Sequence, residues 1–198
     1  MSYRLRFQLL LIALVLAGSF GGVQGQGRGV NADRARAIER AEMDRLLLWA
    51  VPTEKESESM RLSRFKKIKD DFRDLQSLNN KMMADAWSQE TLDYSFIAET
   101  VSKIRSKAND LKQGLSLPEH EKPQPALKMP EVTTVKQFRE ELLLLDKTLM
   151  RFVTNPVFQA INAVDVDLAK KASEDLKHVI LLTVDLKQNA QKLRKSTN

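Results

Sequence analysis

The 198-residue chain carries 32 Lys and Arg against 26 Asp and Glu, a formal net charge of +6, and 42% of its residues are hydrophobic. That balance supplies a core to bury beneath a mixed, solvated surface, and it argues against a nucleic-acid binder. Cysteine is absent, which excludes thiol catalysis, disulfide staples, a lipid-modified N-terminal cysteine and covalent c-type haem attachment.

Residues 1–25 read as an export signal: Arg4 and Arg6 form a basic start, residues 9–17 an uncharged apolar stretch, and small glycine-rich residues follow. Cuts after Gly25 or after Ser19 both fit the small-residue rule. A retained membrane anchor is the competing reading. The apolar stretch is nearer ten residues than the ~20 a spanning helix needs, and Gly18, Gly21 and Gly22 dilute its flank, so export is favoured. Removing residues 1–25 takes two arginines with it and leaves 173 residues carrying +4, a length that suits one domain. No Asn-x-Ser/Thr sequon occurs, which fits a bacterial periplasmic address better than a eukaryotic secretory one.

Residues 26–30 are small and polar and are expected to form a disordered arm. Asn31 then caps a first, shorter helix, with Asp33 in its first turn and Ile38, Ala41 and residues 46–48 on its apolar side. It is expected to end before Pro52, which disfavours helical geometry in Val51. Thr53 and Glu56 have the spacing of a capping box, so the next helix is expected from about Glu54 to Trp87. Along it Phe65, Ile68, Phe72, Leu75, Asn79, Met82 and Ala86 fall at steps of three and four, one apolar seam interrupted by a single Asn.

A polar break at Ser88, Gln89 and Glu90 precedes a further seam, Tyr94, Ile97, Val101, Ile104, Ala108 and Leu111, with Gly114 as its stop. So short a break returns the chain antiparallel to the helix before it. Residues 115–133 hold Pro118, Pro123, Pro125 and Pro130 and are expected to be a non-helical crossing along the bundle, or a loop that meets a partner. Thr134 and Gln137 form another capping box, followed by the stripe Phe138, Leu142, Leu145, Leu149 and Phe152. Asn155-Pro156 signals a short turn through residue 164, and the last helix begins at Asp165 or Asp167, unless a single rod runs from Pro156. Leu168, Ala172, Leu176, Val179, Leu182, Leu186, Ala190 and Leu193 carry its seam to the basic end at Lys192, Arg194 and Lys195.

The expected fold is therefore all-α: an antiparallel up-and-down four-helix bundle with a shorter N-terminal helix and a Pro-rich crossing loop, residues 31–198 forming one domain. Residues 142–145 and 179–182 make the last two long helices apolar on more than one side at those levels, which suits a dimer surface, an apolar channel, or cover by the first helix; cover is favoured. Met60, Met82 and Met83 read as core fillers before they read as an adaptable binding surface. Asn79 reads as a register device or a rim residue. Trp49 and Trp87, at helix ends, read as core caps that keep the indole N–H wet before they read as a partner contact patch.

Glu174, Asp175 and His178 share one helix face, half of what a di-iron bundle requires. The other half is missing, since the only other histidine, His120, lies in the Pro-rich stretch between Glu119 and Glu121. Neither a Gly-x-Ser-x-Gly elbow nor a Gly-rich phosphate loop occurs. The basic tail from Lys187 to Lys195 reads as a solvated helix end before it reads as a site for anionic lipid or cell-wall polymer. No catalytic, cofactor-binding or metal-ligating residue is assigned and no cofactor is expected. The expected role is an exported, non-enzymatic interaction or scaffolding module of the cell envelope. Its partner is another protein or an envelope component, not nucleic acid, with membrane contact only through the signal segment and self-association as a further option. The second reading is a ligand- or metal-binding sensor or redox bundle with a cavity between the last two long helices.

Overall fold

The computed structural model describes Met43, Ala50 and residues 57–118, 132–158 and 165–197. The expected signal and arm, most of the first helix, the Thr53 capping box and much of the Pro-rich connection lie outside these residues. The structure is all-helical among the described residues: α1 spans Glu58–Ser88, α2 Tyr94–Gly114, α3 Val135–Val153 and α4 Val166–Thr197, with one 3-10 turn at Pro156–Phe158. No helix among the described residues is long and apolar enough to cross a membrane.

The start of α1 corrects the sequence reading by four residues. Ser57 is extended (φ −71°, ψ 158°) and its hydroxyl accepts from the Met60 amide at 3.4 Å, so the helix opens at Glu58 and not at Glu54. Ala50 pairs with Leu115 in an antiparallel bridge. Met43 packs half-buried against the core.

Asp93 caps α2 by accepting from the amides of Ser95 and Phe96 at 3.0 and 2.9 Å. Gly114 ends that helix as expected, and Ile68 of α1 lies 3.6 Å from where its Cβ would stand. The Thr134–Gln137 capping box forms reciprocally: the Gln137 amide donates to Thr134 Oγ1 at 3.2 Å and the Thr134 amide to Gln137 Oε1 at 3.1 Å. Thr134→Ala is expected to lower stability by about 1 kcal/mol, read as a shifted urea midpoint at constant slope.

Before α4, Asn155 Oδ1 accepts from the Val157 amide and so builds the turn. Asp165 Oδ1 accepts from Asp167 and Leu168 amides, both at 3.0 Å, which fixes the last helix's start at Val166 and removes the single-rod alternative.

α1 packs on α2 and on α3, and α4 packs on the same two helices. Each pair runs antiparallel. Lys67 meets Asp110 while Asp71 meets Lys107 across α1 and α2. Phe72 meets Phe152 while Asn79 meets Asp146 across α1 and α3. Arg151 meets Asp175 while Glu141 meets Asn189 across α3 and α4, and the end of α4 reaches the start of α2 through Arg194 and Ser95.

The four seams meet in one core, with Leu75, Met82, Ile97, Ile104, Leu142, Leu149, Val179 and Leu186 at 2% exposure or less. Phe72 and Phe152 stack 5.3 Å apart, and Phe158 sets its edge against both. Phe72 and Tyr94, two members of the expected seams, are half-buried.

Candidate functional site

A cleft of about 620 Å³ opens where the α1–α2 turn, the start of α3 and the end of α4 come together. Leu92, the Tyr94 ring and Val135 give it apolar walls, while Glu90, Asp93, Ser95 and Arg194 give it polar ones. Tyr94 sets its ring edge-to-face on Phe138 with centroids 5.6 Å apart. Burial pushes its phenol up from the ordinary value, with the Arg139 charge opposing. Arg139 donates to the carbonyls of Gln89 and Glu90 at 3.1 and 3.4 Å, which ties α3 to the turn. Arg194 Nη1 donates to Ser95 Oγ at 3.1 Å, which ties α4 to it as well. Since Asp93 is engaged in capping and Arg194 in holding Ser95, the polar groups here are structural before they are receptive. Among the described lining residues no hydroxyl is hydrogen-bonded to a carboxylate or an imidazole.

The densest polar constellation lies between α1 and α2. The Asp71 carboxylate, 4% exposed, accepts from Lys67 Nζ at 2.8 Å and from Lys107 Nζ at 2.9 Å. Lys67 also reaches Asp110 and Lys107 also reaches Asp74. Hydrogen bonds to Asp71 and then Asp74 hold the Lys107 ammonium above its ordinary range, and those to Asp110 and then Asp71 do the same for Lys67. The hydrogen bond from Lys107, more than that from Arg73, depresses the Asp74 carboxyl. A lysine raised in the folded state adds stability that is whole below the ordinary lysine value of about 10.4 and is lost as pH rises through the raised one. A depressed carboxyl adds stability above its ordinary value of about 3.9, lost as pH falls through the lowered one. The cluster is thus fully formed across neutral pH, which marks it as a brace.

Asn79 and Glu141 are among the other buried polar side chains. Asn79, fully buried, donates from Nδ2 to Asp146 Oδ1 at 2.6 Å, and its own Oδ1 is buried without a hydrogen-bond partner among the described residues. The placement corrects the rim alternative for Asn79 and fits an amide that fixes the register of α1 on α3. Glu141, 3% exposed, accepts from Asn189 Nδ2 at 3.0 Å through Oε2 while Oε1 is buried and unpartnered.

Compared with known protein families, curated proteins and solved structures, the chain matches none. Function is therefore read from its own residues.

Arg151 Nη2 donates to Asp175 at 2.6 Å, so the carboxylate of the would-be Asp175–His178 ligand pair is held by a guanidinium. Among the described residues no three His, Asp or Glu side chains converge to hold a metal ion, and His120 lies outside them. Met82 and Met83 are core fillers, whereas Met60 is exposed. Trp87 is 45% exposed, and Trp49 lies outside the described residues. Leu143 and Leu181, the outward members of the two apolar runs, are exposed. Sequence reasoning missed Asp71 and Glu141, although both stand at seam spacing: Asp71 three after Ile68 and four before Leu75, Glu141 three after Phe138 and four before Leu145.

Proposed function

We propose that this chain is an exported, non-enzymatic interaction or scaffolding module that works outside the cytoplasm, in the cell envelope, by presenting the ends of a helical bundle to another protein or envelope component. The architecture proposed for it is one four-helix bundle with an additional N-terminal helix. The circuit of contacts from α1 to α2, α4, α3 and back to α1 supports it. The paired contacts favour the order up, down, down, up over simple alternation, because α2 and α3 each run opposite to α1. In that order the Pro-rich connection joins opposite ends of the bundle, the crossing its length suggested.

The observation that carries the functional reading is where the large apolar side chains meet solvent. Met60 and Leu62 at the start of α1, and Val166 at the start of α4, are 58%, 55% and 51% exposed. α1 and α4 both run opposite to α3, so these starts share one end of the bundle. They are the three most exposed of the large apolar side chains among the described residues, ahead of Trp87 and Val135 toward the other end and Leu143 and Leu181 along the helices, and such a grouping suits a partner more than it suits solvent.

The test is site-specific photo-crosslinking in cells with the full chain, the crosslinker placed at position 62 or at position 166 and, as a control, at exposed Lys103. Positions 62 and 166 are expected to capture the same envelope component, with Met60→Asp abolishing capture at 62 without changing the helical circular dichroism. Equal capture from position 103, or capture of cytoplasmic proteins only, overturns the proposal.

A further inference from the structure

We propose that Glu141 is a proton-operated latch between α3 and α4: carrying a proton it lets the two helices close over it, and ionised it weakens their seam. The inference stands on geometry and does not depend on any partner. Glu141 sits at a core-facing position of α3, is 3% exposed, and receives one hydrogen bond, from Asn189 Nδ2 of α4 to Oε2. Its Oε1 is enclosed with no donor among the described residues. A carboxylate removed from water with half of its acceptor capacity unmet is costly, whereas the neutral acid is far cheaper to bury.

The surrounding charges add to the effect. Asp185, one turn before Asn189 on α4, acts on Glu141 as a second negative charge, in the same direction as burial. On α1, Asn79 holds Asp146, Lys81 lies over the Phe96 ring, and Asp85 accepts from Gln89 through Oδ1 while its Oδ2 is buried without a hydrogen-bond partner among the described residues. Arg151 of α3 is paired with Asp175 of α4. Among the described residues no cation pairs with Glu141, so burial first and Asp185 last keep its carboxyl above its ordinary value, against the Asn189 hydrogen bond.

The sign follows from linkage. A carboxyl whose folded value is raised binds protons more tightly in the folded state, so folding is strongest below the ordinary glutamate value of about 4.3 and weakens as pH climbs through the raised value. Above that value the penalty is constant. Acidification of the surroundings therefore tightens α3 on α4, and neutral pH loosens the pair and the apolar runs that flank it, opposite to the response of the exposed carboxylate–lysine pairs.

The experiment has two arms on the full chain. The first follows the Glu141 side-chain carboxyl by carbon NMR against pH in the wild type, with Glu141→Gln used to assign the signal. The midpoint is expected above that of the exposed glutamates. The second compares urea midpoints of wild type and Glu141→Gln from pH 4 to pH 8. Gln keeps an acceptor for Asn189 and carries no charge, so the variant's midpoint is expected to match the wild type at pH 4 and to exceed it progressively as pH rises. Hydrogen exchange in α3 and α4 is expected to slow in the variant at pH 8 and to be unchanged at pH 4. A Glu141 midpoint at the ordinary glutamate value, or a difference between the two proteins that does not vary with pH, overturns the latch. Should Glu141→Gln fail to fold, the wild-type NMR titration alone decides.

Discussion

Phe152→Ala is expected to remove about 3–5 kcal/mol of folding free energy, the largest loss of any single substitution considered for this chain. Phe152 is fully buried, stacks on Phe72 with the two rings 5° from parallel, and receives the edge of Phe158 with ring planes 76° apart. These rings come from α1, from α3 and from the 3-10 turn that leads toward α4, so one truncation opens a void where separate parts of the chain converge. Neighbouring rings are held by their own helices and relax only partly into the gap, which adds a cavity cost to the lost transfer energy. Against a total stability typically of about 5–15 kcal/mol, the variant falls close to the folding threshold. Urea denaturation followed by circular dichroism measures it, and a melting temperature lower by roughly 10 °C is the thermal counterpart. Phe72→Ala is expected to cost less, because Phe72 is half-buried. A loss below about 1 kcal/mol at Phe152 would mean that the aromatic cluster does not tie the helices together.

Much of this fold was legible because apolar spacing is a direct record of which side of a helix meets its neighbours. The stripe from Phe138 to Phe152 is buried at every member, and Thr134 with Gln137 marks the start of α3 to the residue. Capping chemistry was harder to place where hydroxyls follow one another: Thr53 and Ser57 both offer a cap, and the extended backbone at Ser57 decides the start of α1. The polar core was not legible. At positions 71, 141 and 148 a polar residue holds the three-and-four spacing beside an apolar one, and a seam drawn through hydrophobic residues alone passes to Phe72, Leu142 or Leu149 instead. Asp71 is buried because two lysines reach it, and one of them stands on another helix, 36 residues away in sequence. Only tertiary structure brings such partners together. Trp87 stands at a helix end as expected, with 45% of its surface left to solvent.

Lys67→Met combined with Lys107→Met is expected to cost about 3 kcal/mol, and adding Asp71→Asn to that background is expected to restore more than half of it. The asymmetry lies in where the charges sit. The Lys67 side chain is 60% exposed and that of Lys107 31% exposed, while Asp71 is 4% exposed. Removing the lysines therefore strands a carboxylate beneath the surface, whereas removing Asp71 leaves two ammonium groups that keep Asp110 and Asp74 and part of their water. Each exposed arm of the network contributes little alone, so the exposed ion pair of Arg73 with Asp70 is expected to shift stability by less than about 0.5 kcal/mol when broken. A stranded charge costs more than a missing bond. Urea midpoints for the double, triple and Asp71→Asn variants close the cycle, and the decisive quantity is the sign of the Asp71→Asn effect in the two backgrounds: destabilising with both lysines present, stabilising without them. If Asp71→Asn lowers stability in both, the aspartate is held by packing alone and the lysines are surface ornaments of α1 and α2.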